Sequence, residues 1–364
     1  MENDIQLTTS SILSTIPTAV SRNNLTNDTQ CPHWDVWDWL YIMQPAYMFI
    51  ICVLGILGNI FVLLVFGLHK KACTVAEIYL GNLAAADLLL VSCLPFWAIN
   101  IADGFNWRFG SLMCRLVNTG IKMSMLCSIY LLVLISGDRY VALVHALSRG
   151  RMRRPRYAKL NCIAVWFFGL ILNYPTLHFR DTQFIPELNI TACILNYPNP
   201  NIGLAHLLQL NLVGFALPIL VITFCCVNII RALKRRRHID YCEDRNDKKA
   251  TVLVCAVTLL FLICWGPFHF MTLLDLLCDL KVLDQNEWSH FLNIGSQFSV
   301  YLAFSNSCLN PALYVCSGKY FKRKVSSIYN RRKHSLDATA LQRTVLTSTT
   351  TANQIKPVVL YEKD

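Results

Sequence analysis

The sequence is short of charge. Only 15% of its 364 residues are Asp, Glu, Lys or Arg, where a soluble domain carries about 25%. Together with 54% apolar residues gathered in long runs, that deficit excludes an ordinary water-soluble domain and argues for a polytopic membrane protein. A charged-then-apolar start is also lacking. Met1 to Ser10 is polar and acidic, so no cleavable signal peptide is expected, and the first apolar run serves as signal and anchor together. Catalytic signatures are absent: no phosphate-cradling loop follows a strand, and there is neither an HExxH pair nor a nucleophile elbow. Enzymatic function is therefore not expected. Period-two alternation is missing, which speaks against barrel strands. Zinc-type pairing of Cys with His is missing too, although the chain has 16 cysteines. Most of them, Cys52, Cys93, Cys127 and Cys162 among them, lie inside apolar runs, where cysteine acts as a small hydrophobe.

What is present is a set of seven apolar runs, roughly 43–68, 77–101, 112–144, 159–179, 203–230, 250–277 and 290–316. Each is long enough to span a bilayer as a helix, which takes about 20 residues. Pro95, Pro175, Pro218, Pro267 and Pro311 fall inside them. Such kinks are tolerated in membranes because neighbouring groups re-satisfy the freed carbonyls. The fold expected is an all-α membrane protein, a seven-transmembrane helix bundle.

The net charge of +11 is concentrated in alternate loops. Lys70 and Lys71, Arg149 to Lys159, Arg231 to Lys249, and Lys319 to Lys324 follow runs one, three, five and seven, while the opposite loops hold only Arg108, Arg180 and Lys281. This asymmetry places the N-terminus outside and the C-terminus in the cytoplasm. It also explains the basic balance by contact with an anionic leaflet, with no nucleic acid needed. Sequons at Asn24, Asn27 and Asn189 all fall on the outer side. The expected organisation is a glycosylated outer segment over 1–41, a receptor domain over 42–317, an amphipathic helix on the inner membrane surface over 318–330, and a disordered Ser/Thr-rich tail over 331–364 open to phosphorylation.

Polar groups inside such a bundle are functional suspects. Asp138-Arg139-Tyr140 stands at the foot of run three. Arg139 has two candidate acids, neighbouring Asp138 and Asp247 at the foot of run six. Pairing with Asp247 would latch the two helices, and outward movement of run six would open a groove for a partner helix. Asp87 lies midway in run two, where Ser128, Asn306, Ser307 and Asn310 are placed to converge on it. One carboxylate with hydroxyl and amide oxygens suits a hard cation such as sodium. Trp265 sits beside the hinge-forming Pro267, and Asn310-Pro311 with Tyr314 repeats the device in run seven. Cys114 opens run three and Cys193 lies in the second outer loop, so a disulfide between them would pin that loop over the helix top.

Gly58-Asn59, Asp87, Asp138-Arg139-Tyr140, Trp166, Pro218, Cys264-Trp265-Gly266-Pro267 and Asn310-Pro311-Ala312-Leu313-Tyr314 occur in this order, one per run. The chain thereby resembles the rhodopsin-like G-protein-coupled receptors over about residues 40–330. Leu94-Pro95-Phe96-Trp97-Ala98, Phe105-Asn106-Trp107, Leu188 to Cys193 and Phe304 to Pro311 make it similar, within that class, to the bradykinin (kinin) receptors. Angiotensin- and chemokine-type peptide receptors share several of these stretches but not the second-loop one. A transporter, the reading from another class, would require inverted repeats and a charged pathway, and neither is visible.

The resemblance implies a receptor for kinin peptides at the plasma membrane. It would couple mainly to Gq and to phospholipase C and calcium signalling, with Gi secondary and with arrestin and receptor kinases as further partners. Lys122 lies eight residues below Cys114, where an unpaired cation is costly. Either an internal acid pairs with it or it awaits an anionic ligand group. In the kinin family a Lys here resembles the subtype preferring kinins without their C-terminal Arg. The shortened peptide's carboxylate would meet the ammonium, and an extra Arg would be repelled. Asn118, Trp97 and Gln297 match other pocket positions, and Asp275 matches one of two acids expected to meet the peptide's N-terminal Arg.

Several positions depart from the pattern. Asn293 stands where the second acid is expected, and His206 where the subtype has an Arg. Cys226 replaces a tyrosine that commonly contacts the released Arg139, and no cysteine follows Cys316 for tail palmitoylation. A bridge from Cys31 to the third outer loop is implied by the resemblance, with Cys278 as its candidate partner.

Overall fold

The computed structural model describes residues 36–68, 73–144, 154–236, 243–317, 321 and 325–330. Asn24, Asn27, Cys31 and the 331–364 tail lie outside the described residues, as do the side chains of Asp247 and Tyr314. The elements are α1 (Val36–Leu68), α2 (Val75–Ala102), α3 (Gly110–Val144), α4 (Pro155–Leu172), α5 (Tyr174–Phe179), β1 (Arg180–Ile185), β2 (Ile190–Leu195), α6 (Pro200–Asn211), a π-helical turn (Leu212–Ala216), α7 (Leu217–Arg236), α8 (Glu243–Asp279) and α9 (Gln285–Ser317).

Among the described residues, five stretches are long and apolar enough to cross a membrane: Ile42–Leu68, Val75–Ala102, Gly110–Val144, Pro200–Ala232 and Cys255–Asp279. The two remaining runs are helical as well, as α4 with α5 and as α9. Their exteriors are inside-out relative to a soluble protein. Leu57, Ile163 and Leu220 are each more than 60% exposed, and an apolar outer face of that kind belongs against lipid. Polar groups lie within: Asn59, Asp87, Ser128 and Asn310 are almost wholly buried.

Local sequence sets the helix boundaries. Thr74 and Glu77 form a capping box at the start of α2. The Glu77 N–H donates to Thr74 Oγ1 at 3.4 Å and the Thr74 N–H donates to Glu77 Oε2 at 2.9 Å, which satisfies two otherwise orphaned donors. Run four departs from the expectation of one kinked span. It stops at Asn173, and Pro175 opens the short α5 from its first turn, where its missing N–H is not needed. Pro218 follows the π turn directly. The wider turn accommodates the carbonyl that proline leaves without a donor.

The all-α expectation needs one addition, an antiparallel hairpin of β1 and β2 between α5 and α6, in the register Thr182↔Cys193 and Gln183↔Ala192. Ile190-Thr191 starts its second strand, as β-branched residues favour. Exposed Asn189, with φ of 50°, takes the left-handed turn that asparagine tolerates.

Helix α2 packs on α1 and α3, α3 on α4 and α7, α8 on α9, and α9 back on α1 and α2, so the ring closes around α3. Two close approaches rely on glycine. A Cβ on Gly55 would lie 2.6 Å from Val91 Cγ1, and one on Gly58 would lie 3.0 Å from Pro311 Cβ. Beyond α9, Phe321 is buried edge-on to Phe61 and Phe66, and helical residues 325–330 set Val325 and Ile328 against the same core.

Candidate ligand pocket and signalling switch

The mouth at the N-terminal end of α3 is organised by that helix and the hairpin. Cys114 and Cys193 are disulfide-bonded, with Cα atoms 5.7 Å apart, and this fixes β2 to the top of α3. Strand β1 is held separately. Arg115 Nη2 donates to Asp181 Oδ2 at 2.8 Å, Arg115 Nε donates to the Arg180 carbonyl at 2.9 Å, and Ser111 donates to Asp181. The Ser111 hydrogen bond first, then those from the Thr182 N–H and Arg115, hold the Asp181 carboxyl below its ordinary value.

These two anchors deliver Arg180 to α3. Its Nη2 donates to Asn118 Oδ1 at 2.6 Å, and the Asn118 Nδ2 is spent on the Cys114 carbonyl at 2.8 Å. Arg180 Nε is buried without a hydrogen-bond partner among the described residues. Burial lowers the pKa of this guanidinium to about 10, still far above neutral, so it stays charged. One turn deeper, Lys122 Nζ lies 3.3 Å from His206 Nε2 on α6, and the other ring nitrogen of His206 meets the Tyr197 hydroxyl. Lys122 and His206 also line a cavity between α3, α4 and α6, with Met125, Leu172, Asn173 and Gln209. Among the described residues, no carboxylate forms an ion pair with Lys122 or Arg180. An internal acid, one of the two sequence-based readings of Lys122, is therefore not found there.

Asn118, Lys122 and His206 are thus brought together. The sequence reading missed Arg180 and Tyr197. Arg180 counts only as a loop charge until the break after Asn173 and the start of β1 place it beside α3. The other candidates sit elsewhere around the mouth. Trp97 packs on Trp107 with ring centroids 6.0 Å apart. Gln297 Oε1 accepts from the Tyr301 hydroxyl at 3.0 Å. Asp275 is exposed near the C-terminal end of α8, and Asn293 is half-buried on α9. Cys278 is buried beside Met271, Leu274 and Leu292.

Deeper in the bundle, Asp87 is fully buried. Its Oδ1 accepts from Ser307 Oγ and its Oδ2 from Asn310 Nδ2, both at 2.9 Å. Asn306 and Ser128 are buried as well, but no hydrogen bond joins them to Asp87 among the described residues. The carbonyl oxygens of Asn306 and Asn310 are buried without donors. A carboxylate beside spare amide oxygens is a donor set that suits a small hard cation.

The proline-hinge candidates lie on α8 and α9. Trp265 is buried one turn below His269, stacked near Phe261 and edge-on to Phe268, and Pro267 lies between them inside α8. His269 stacks on Phe215 of the π turn at 4.3 Å. Near the C-terminal end of α3, Arg139 Nη2 lies 3.0 Å from Asp138 Oδ2, which makes neighbouring Asp138 an acid partner of Arg139. The ring of Tyr140 faces Phe224 on α7 at 5.8 Å. Cys226, in place of the usual tyrosine, hydrogen-bonds with Cys255 of α8.

Residues 58–314 match the family described as "7 transmembrane receptor (rhodopsin family)". The chain is 47% identical over 308 residues to the B2 bradykinin receptor of Cavia porcellus, covering 84% of this chain and 82% of the relative. It is 47% identical over 311 residues to that of Rattus norvegicus, covering 85% and 78%. To the B1 bradykinin receptor of Homo sapiens it is 42% identical over 308 residues, covering 84% and 87%. Such receptors are not enzymes, in agreement with the missing catalytic motifs. With the family's motifs each on its own helix and this likeness over most of its length, the chain belongs to the bradykinin receptors of the rhodopsin-family seven-transmembrane, G-protein-coupled class.

Proposed function

We propose that this chain is a plasma-membrane receptor for kinin peptides that prefers the form lacking the C-terminal arginine. One observation carries the preference. Lys122 and Arg180 bring two positive charges to the pocket, and no described carboxylate pairs with either. A terminal carboxylate would satisfy both, whereas a further arginine would be repelled. Identity over the matched residues is slightly higher to the B2 than to the B1 relatives, so the preference rests on this pocket chemistry alone. Asn118 orients Arg180, while Asp275, Asn293, Gln297 and Trp97 form the outer wall that receives the rest of the peptide.

The signalling route follows from the family and from the charge pattern. Basic alternate loops put the N-terminus outside and the C-terminus in the cytoplasm. Agonist binding biases α8 toward an outward position by its greater affinity for that state. Release of Arg139 from Asp138 and Asp247 then admits a G protein of the Gq class, with Gi secondary. Receptor kinases and arrestin act on the 331–364 tail. Asp87 with Ser307, Asn310, Asn306 and Ser128 would hold a sodium ion that favours the closed state.

Expression in cells tests the reading. Kinin-evoked calcium release that is abolished by Gq inhibition is expected. Surface-expressed receptor that stays silent to both full-length and des-Arg kinins would overturn it.

A further inference from the structure

The kinin reading leaves His206 without a defined task, although both of its ring nitrogens are engaged. An ammonium carries donors only. With Lys122 in its ammonium form, the Nζ that meets His206 Nε2 at 3.3 Å donates, and Nε2 accepts. The remaining proton of the neutral ring sits on Nδ1 and is donated to the Tyr197 hydroxyl oxygen. The result is a directed relay from Lys122 through His206 to Tyr197, whose phenol ring stands 5.9 Å from the imidazole.

The surroundings of that ring carry one sign of charge. Helix α3 presents Lys122 and strand β1 presents Arg180, and the segment after β2 supplies the uncharged Tyr197. Helix α8 also packs on α6 and brings Thr272 to Asn211 at 3.0 Å, but neither Asp275 nor Asp279 bears on His206. A second proton on this buried ring would need Nε2 released from Lys122, and it would add a third positive charge to two uncompensated ones.

We infer that recognition of a C-terminal carboxylate in this pocket is coupled to uptake of one proton by His206, with Tyr197 holding the ring in place. The inference rests on the kinin reading of the pocket. An arriving carboxylate draws Lys122 toward itself, frees Nε2 and supplies the negative charge that the site lacks. His206 then takes a proton on Nε2 and becomes a third donor to the ligand. A carboxylate stays ionised well below neutral pH, so acidification charges the histidine without discharging the ligand. His206 thereby acts as a specificity residue that is strongest toward carboxylate-ended peptides in an acidic medium. Tyr197 is a positioning residue that fixes the tautomer.

Equilibrium binding to membranes bearing the full-length receptor tests this, with a labelled des-Arg kinin and its C-terminal amide at pH 7.4 and 6.4. Linkage to one proton gives at most about a tenfold gain in affinity per pH unit. A several-fold gain is expected for the acid and none for the amide, and the share of the acid's gain that belongs to His206, beside that of Lys122 meeting the same carboxylate, is read from what His206→Gln removes. His206→Gln keeps a hydrogen-bonding side chain but cannot charge, and it should flatten the acid's pH profile. His206→Arg should flatten it at higher affinity, and Tyr197→Phe should reduce the slope. Equal slopes for wild type and His206→Gln, or for acid and amide, would overturn the proton coupling. If His206→Gln loses all binding, His206→Arg decides: an acid slope equal to that of wild type would overturn the proton coupling. If neither peptide binds wild-type receptor, the kinin reading itself fails. Tight binding with a flat profile removes only the role of His206.

Discussion

Arg180 Nη2 donates to Asn118 Oδ1 at 2.6 Å, which ties the first strand of the outer hairpin to helix α3 at the level of the pocket. The bond sets a guanidinium above Lys122 and uses a neutral partner, so both positive charges remain available to a ligand. Removing either end should weaken carboxylate recognition. Arg180→Gln is expected to cut des-Arg kinin affinity about ten- to a hundredfold, the ~1.5–3 kcal/mol of a hydrogen bond to a charged group. Asn118→Ala should cost less, because Arg180 keeps its charge but loses its orientation. Displacement binding at matched surface expression measures both, and an unchanged affinity in Arg180→Gln would remove this residue from the pocket.

The hairpin clamp has its own pH behaviour. Asp181 is held below its ordinary carboxyl value by Ser111, the Thr182 N–H and Arg115. A carboxyl depressed in the folded state contributes stability that is complete above its unfolded value, near 3.8, and is lost as pH falls through the lower folded value. Between pH 5 and 8 the clamp is therefore constant. Asp181→Asn should lower ligand affinity by a similar factor at pH 7.4 and 6.4. A change in the slope between those values would show that the clamp, and not the pocket, titrates there.

Arg139 and Asp138 lie 3.0 Å apart, with only 15% and 5% of their side chains exposed. Asp138→Asn removes the counter-charge and should favour the state in which Arg139 turns to a G protein. A shift of about 1 kcal/mol changes the population ratio roughly fivefold, which would be visible as raised basal inositol phosphate. Basal output equal to wild type at equal surface density would show that this pair does not restrain activation.

Asp87 accepts hydrogen bonds from Ser307 and Asn310 on α9, so a cation bound there would tie α2 to α9. Replacing sodium by a bulky organic cation in the buffer should raise agonist affinity severalfold in wild type. Asp87→Asn should abolish that sensitivity. A sodium effect that survives the substitution would place the ion elsewhere.

The bundle and its buried polar residues are legible in the sequence because the membrane leaves few alternatives. Runs of about 20 apolar residues must be helices, and buried Asp87 or Arg139 stands out against them. What escapes is set by contacts between distant segments. The break at Asn173 looks like part of one run, because Pro175 reads equally as a kink or as a helix start. The hairpin of 180–185 with 190–195 is too short to show period-two alternation, so Arg180 reads as a loop charge. Nor does spacing alone decide between an internal acid and a ligand for Lys122. That choice depends on which side chains α6 and β1 bring near it, and these turn out to be His206 and Arg180.

The measurement that bears most directly on the central claim compares full-length and des-Arg kinin dose–response curves on wild type and on Lys122→Ser. Wild type should respond to the des-Arg peptide at lower concentration, and Lys122→Ser should reverse or erase that order by losing the carboxylate partner and the repulsion of an extra arginine. A potency ratio that is the same in both receptors would contradict the pairing of Lys122 with the peptide's terminus.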